Sequence, residues 1–136
     1  MDILVATLRM QELALRINDD FLPVATREGL TLVTAHALWK VDPDRGDLTM
    51  SEMAAQLGCN ASNATFVIKQ LEARGFVERR ADPADGRRTF IGLTEDGARA
   101  RKRLGRALTS VSPLKALTEE QRASFVSILD VLSDRR

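Results

Sequence analysis

A mainly α chain with one small β-hairpin is what this sequence predicts, and three observations carry that reading. Apolar residues make up 44% of the 136 residues while aromatics make up only 4%, a balance that, with many Ala, Leu and Arg, favours helix over sheet. Apolar positions recur at helical spacing along most of the chain. The period changes after Gly75, where the runs from Phe76 and from Thr89 read as strands around a turn holding Pro83 and Gly86.

The length fits one domain with one core. Cys59 is the single cysteine, which excludes a disulfide framework and makes a reducing cytoplasm the simpler assumption. The apolar run Ile3 to Leu8 is too short to span a bilayer and is soon followed by Arg9 and Glu12, so a soluble protein without a membrane partner is expected. A formal net charge of +1 conceals an asymmetry. Between Asn60 and Arg106 there are 11 Lys or Arg against 6 Asp or Glu, and the rest of the chain has 9 against 13. A basic region with acidic flanks suits a surface that meets a polyanion.

The first helix is expected over about Ile3 to Leu22, with Pro23 as its stop. It carries Leu4, Leu8, Leu13, Ile17 and Phe21 on more than one side, which invites burial either in a subunit interface or in an intramolecular core. A second helix, about Leu30 to Val41, holds His36 and Trp39 among Leu32, Val33, Ala35, Leu38 and Val41. Asp42 to Asp47 form a charged loop punctuated by Pro43 and Gly46. His36 is the sole histidine, and with one distant cysteine it makes no metal site, so a structural role is its reading.

Thr49, with Glu52 three residues on, predicts a capping box for a helix over Met50 to Leu57, and Gly58 predicts a left-handed stop. Asn60 caps the next helix, which runs toward Gly75 with Ala64, Val67, Ile68 and Leu71 at i, i+3, i+4 and i+7. Ser62, Asn63, Thr65, Phe66, Lys69 and Gln70 face out. Two capped helices across a three-residue turn make a helix-turn-helix, whose second helix suits a major groove. The hairpin from Phe76 to Leu93 places Arg87 and Arg88 at its tip, where paired guanidinium groups suit phosphates or a narrow minor groove. Thr94 caps a basic helix with Arg99, Arg101, Lys102, Arg103 and Arg106, ended by Ser112 and Pro113. Thr118 with Gln121 caps a last helix that carries Phe125, Ile128, Leu129 and Leu132.

The run LTMSEMAAQLGCNASNATFVIKQLEARGFVERRADPADGRRTFIGLTEDG resembles the winged helix-turn-helix core of the MarR family of bacterial transcriptional regulators. Its marks are Leu48-Thr49, Leu57-Gly58, the passage Leu71 to Val77, the wing Asp82-Pro83-Ala84-Asp85-Gly86-Arg87 and the closing Leu93-Thr94-Glu95-Asp96-Gly97. The resemblance implies a winged helix-turn-helix joined to a helical dimerisation domain: residues 30–104 for the DNA-binding region, and 1–29 with 105–136 for the dimerisation region. It implies a homodimer on a pseudo-palindromic double-stranded DNA operator, with Asp85 bracing Arg87 in the minor groove. It also implies a small aromatic or phenolic effector, bound between the dimerisation helices and the winged module. His36 and Trp39 with Arg9 or Arg16 are the expected lining, against the reading of Trp39 as plain core. Two positions depart from the family. Position 66, often basic there, is Phe66, which either presses on thymine methyl groups or is a nonspecific apolar residue. The first helix lacks the cysteine of oxidant-sensing members, and Cys59 reads as a small buried apolar residue.

The expected DNA-contact set is therefore Asn60, Ser62, Asn63, Thr65, Phe66, Lys69, Arg87 and Arg88, with Asp85 as wing support. A ligand-responsive regulator, most often a repressor, is the leading function. The alternative is a winged-helix protein-interaction module that does not read DNA. An enzyme is not expected, and neither is a cofactor: one His and one Cys assemble no metal cluster, and no nucleophile with a base, paired catalytic carboxylates or phosphate loop is present.

Overall fold

The computed structural model describes residues 1–134; the last two residues of the predicted dimerisation segment, 135 and 136, lie outside them. In chain order the elements are α1 (Ile3–Arg27), α2 (Leu32–Lys40), β1 (Leu48–Thr49), α3 (Met50–Leu57), α4 (Ala61–Ala73), β2 (Val77–Ala81), β3 (Thr89–Leu93), α5 (Glu95–Val111), a 3₁₀ turn (Pro113–Ala116) and α6 (Glu119–Ser133). The architecture is mainly helical, with a small antiparallel sheet, as the sequence predicts.

Pro23 does not stop the first helix. It lies inside α1, which continues to Arg27. Proline removes its own N–H and crowds the turn before it, but the last turn of α1 is held by packing, with Ala25 fully buried, and within the helix by the Thr26 hydroxyl, which donates to the Leu22 carbonyl at 2.8 Å. The true stop is Gly29, at φ +71°. There Gly29 N–H donates to Thr26 and Leu30 N–H to Ala25, closing the helix by the left-handed motif that glycine favours.

The second helix is shorter than expected because Thr31 is its cap and Thr34 completes a capping box with it. The sheet has a third strand that the pattern did not reveal: β1 pairs with β3 through Leu48 opposite Ile91 and Thr49 opposite Phe90, giving the order β1-β3-β2. Two residues are too few to show alternation. The predicted capping box at Thr49 is half made. Its hydroxyl accepts from Glu52 N–H at 3.1 Å, while the Glu52 carboxylate turns to Arg45 at 3.2 Å.

The core is confined to the middle of the chain. Its buried apolar residues run from Ala25 to Leu104, with Leu38, Val41, Met53, Ile68, Leu71 and Ile91 the largest that are fully buried. Each such side chain contributes roughly 1.5–3 kcal/mol through removal from water. In α1 only Ala25 is buried, and in α6 no residue is.

Candidate nucleic-acid interface

Helices α3 and α4 meet across a turn built by three residues. Gly58, at φ +64°, ends α3; Cys59 N–H donates back to the Ala54 carbonyl at 3.1 Å, and the Asn60 side chain accepts from Asn63 N–H at 2.9 Å to start α4. Cys59 is half-buried against the core, close to the small apolar role expected of it. Four residues at helical spacing, Ala64, Val67, Ile68 and Leu71, fix α4 inward. This leaves Ser62, Asn63, Phe66, Lys69 and Gln70 exposed and Thr65 half-buried. The Thr65 hydroxyl donates to the Ala61 carbonyl at 2.9 Å, which leaves its oxygen free to accept.

Asp82, whose role the hairpin pattern alone does not single out, makes the wing turn. It is 9% exposed, its carboxylate accepts from Ala84 N–H at 2.8 Å, and its own N–H donates to the Arg88 carbonyl at 2.9 Å. Asp85 accepts from Arg87 N–H at 3.1 Å, so its contact with Arg87 is to the backbone. The signal was legible as an Asx turn, Asp followed by Pro two residues before another Asp.

A shallow groove of about 410 Å³ is lined by Thr49, Met50, Ser51, Thr65, Arg79, Arg87, Arg88 and Thr89. It brings the start of α3, the middle of α4 and the tip of the wing onto one surface. Among the described residues Lys69, Arg87 and Arg88 enter no ion pair, so three cations on this side keep their charge for a ligand. Much of the rest of the basic excess is spent within the fold. Arg79 pairs with Glu72 at 2.6 Å, Arg99 with Glu95 and Asp96, and Arg103 with Glu28 at 2.6 Å. Arg101 stacks on Trp39, 4.0 Å from the ring centroid, and donates to its carbonyl.

The four residues expected to line an effector site are not all gathered. His36 and Trp39 share a slot of about 50 Å³ with Phe21, Ala35, Leu104, Gly105 and Leu108. Arg9 and Arg16 stand exposed on α1, away from that slot. Trp39 is 45% exposed, so it is no core residue. His36 also borders a larger, mostly apolar groove of about 710 Å³ between α2 and α4, shared with Asn63, Phe66 and Gln70. Partial burial, assisted by Lys40, lowers the His36 pKa below its usual 6.5 and favours the neutral ring.

No helix among the described residues is long and apolar enough to cross a membrane. The family model described as "MarR family" matches residues 30–89. The HTH-type transcriptional regulator YfiV of Bacillus subtilis (strain 168) is 30% identical over 96 residues, 66% of this chain and 58% of YfiV. The chain spans less than two thirds of the length of the curated relatives it matches. Among solved structures, Sco3205, a MarR family transcriptional regulator from Streptomyces coelicolor in complex with DNA, superposes with a TM-score of 0.81 at 24% identity, covering 96% of this chain and 84% of that one. CouR from Rhodococcus jostii RHA1, bound to p-coumaroyl-CoA, does so with a TM-score of 0.84 at 17% identity, covering 96% and 93%. These likenesses establish the fold, a winged helix-turn-helix. Residues 30–89 thus match the MarR family model inside a winged helix-turn-helix fold, and the relatives that match them are named as transcriptional regulators.

Proposed function

We propose that this chain is a homodimeric, ligand-responsive repressor that binds a pseudo-palindromic DNA operator. The observation that carries the proposal is the groove that Thr65 of α4 shares with Arg87 and Arg88 of the wing, together with the exposed Ser62, Asn63 and Lys69 on the same helix, with the cations Lys69, Arg87 and Arg88 outside every ion pair among the described residues. Helix α4 enters the major groove, where Asn63 reads adenine edges and Ser62 and Thr65 read either base type. Arg87 and Arg88 enter the flanking minor groove, and Asn60 and Lys69 meet phosphates. The exposed ring of Phe66 lies beside Asn63 and contacts thymine methyl groups. Sco3205 was solved with DNA, which supports the same use of this surface.

Residues 1–29 and 105–136 form the dimerisation region and residues 30–104 the DNA-binding region. The two α4 helices of the dimer must stand about 34–36 Å apart to enter successive major grooves. An effector that changes this spacing changes affinity. A small aromatic or phenolic compound is the effector class, held where His36 and Trp39 meet Phe21 of α1 and Leu104 and Leu108 of α5. CouR bound to p-coumaroyl-CoA is a precedent for an aromatic effector on this fold.

Sequencing DNA fragments selected by the purified protein tests the reading directly. The expected outcome is a motif with two half-sites one helical turn apart and binding that falls steeply with salt. Failure to retain any genomic fragment at low salt overturns it.

A further inference from the structure

Beyond its buried stripe, the C-terminal end of helix α4 is tied to the rest of the molecule through two adjacent stretches of chain, Gly75–Phe76 and Arg74. At the first, the Thr94 hydroxyl at the start of α5 donates to the Gly75 carbonyl at 2.5 Å, and Gly97 packs so closely on the Phe76 carbonyl that a Cβ would fall 1.8 Å from its oxygen. At the second, Arg74, which caps α4, reaches back to the α1–α2 elbow and donates to the Glu28 carbonyl at 2.8 Å. The Glu28 carboxylate in turn accepts both Nε and Nη2 of Arg103 on α5, at 2.6 and 2.8 Å. The elbow is shaped for this contact: a Cβ on Gly29 would lie 2.6 Å from the Arg74 guanidinium carbon.

Thr94 and Arg103 are nine positions apart, so the two attachments stand roughly 13 Å apart along α5. The two ties diverge from the C-terminal end of α4 to separate anchors, so together with the buried stripe they fix where that end of the helix sits against α5. We propose that Glu28, Arg74 and Arg103 form a strut that holds the recognition helix at a set angle to α5, making them positioning residues that define which half-site spacing the protein accepts. The inference rests on the operator-binding reading and adds to it a residue set outside the DNA-facing surface.

The charges suit the role. Glu28 is 15% exposed at its side chain and Arg103 is 52% exposed, so the bidentate pair sits at the rim of the core. Directional, charge-assisted hydrogen bonds there specify geometry better than apolar packing would.

Glu28→Gln preserves shape and removes the charge, and Arg103→Lys keeps the charge but loses the two-pronged geometry. Two measurements on the full-length protein decide the matter. In the first, backbone hydrogen exchange should quicken at residues 28–31 and 72–77 in both variants, with the buried half of α4 unchanged. In the second, a series of operator fragments differing only in the distance between half-sites should show one sharp optimum for the wild type. The variants should show a broadened optimum, with roughly 2- to 30-fold weaker binding at the best spacing and a milder change for Arg103→Lys. Unchanged exchange overturns the strut. Altered exchange with an unaltered spacing profile overturns its positioning role and leaves a local stabilising contact. A wild type that binds none of the fragments refutes the operator reading itself, and the positioning role with it, while the exchange data still report whether the strut holds α4.

Discussion

The segment from Ala25 to Leu104 and the two ends of the chain are built from the same amphipathic periodicity and meet opposite fates. In the middle, stripes such as Ala64, Val67, Ile68 and Leu71 are buried in one core. At the ends, Ile3, Leu4, Leu8 and Leu15 of α1 and Ile128, Leu129, Val131 and Leu132 of α6 remain between 40% and 83% exposed. A soluble monomer rarely leaves so much contiguous apolar surface in water. The contrast teaches that the winged module buries its apolar stripes within one chain, whereas the helical ends leave theirs bare, which is the surface the proposed dimer would cover.

The largest effect expected is from breaking the ends alone. The double substitution Ile128→Asp with Leu132→Asp places two charges on the face left bare in α6. It should give a monomer by analytical ultracentrifugation and weaken operator binding by roughly 10²- to 10⁴-fold, the gain normally supplied by tying two sites together. A variant that remains a dimer with full affinity would mean that α6 is not the interface. Leu71→Ala strikes the other region. It removes a fully buried side chain, and urea unfolding should register a loss of about 2–5 kcal/mol; a loss below about 1 kcal/mol would show that the middle of the chain is not the packed core described.

Within the module, the reading surface should divide by role. Asn63→Ala should relax discrimination at particular base pairs by about 1–3 kcal/mol. Arg87→Ala should weaken binding to all sequences alike and reduce the salt slope by about one. Competition with singly substituted operators separates the two, and equal losses on every sequence from both variants would refute the division.

The joint between the regions should respond to acid. The hydrogen bond from Arg103, first of all, holds the Glu28 carboxyl below its usual 4.5, against the opposing push of burial, and the charges of Arg103 and Arg74 act in the same sense. The folded protein therefore takes up this proton less readily than the unfolded chain. The stabilisation is complete above about pH 4.5 and is lost as the pH falls through the lowered value. The difference in melting temperature between the wild type and Glu28→Gln should be constant from neutral pH to about pH 5 and shrink below it. A difference that persists undiminished at pH 3 would show that the carboxylate charge is not what stabilises.

The sequence made the helix-turn-helix legible because its signals are local. Caps at Thr49, Asn60, Thr94 and Thr118, the left-handed Gly58 and the period of α4 all act within a few residues, and each stands in the structure where it was expected. What escaped notice depends on distant partners. Helix α1 passes through Pro23 because Ala25 is buried by other elements. Strand β1 exists because β3 lies beside it, and Arg74 and Arg103 converge on Glu28 from 46 and 75 positions away. The basic stretch of α5 misled for the same reason: counted as charge it suggested a polyanion surface, but Arg99, Arg101 and Arg103 are occupied by contacts that composition does not show.

The smallest effects come from the helix caps, and they sharpen the comparison further. At Thr118 the box is complete: its hydroxyl accepts from Gln121 N–H at 3.2 Å and the Gln121 side chain accepts from Thr118 N–H at 2.9 Å. At Thr49 only the first half exists, because Arg45 holds Glu52 away. Thr49→Ala and Thr118→Ala should each cost about 1 kcal/mol, the usual loss for an N-cap hydroxyl. The reciprocal residues should differ. Gln121→Ala frees a backbone N–H at the head of α6, so hydrogen exchange should quicken at Thr118 and through the first turn. Glu52→Ala frees no such group and should leave exchange at Thr49 unchanged. Because α6 has no core of its own, the Gln121 effect should also grow on dilution as dimers separate, while the behaviour of α3 stays independent of protein concentration. A concentration-independent α6 would mean that the last helix is stable without a partner, and the contrast between the two regions would fail at that point.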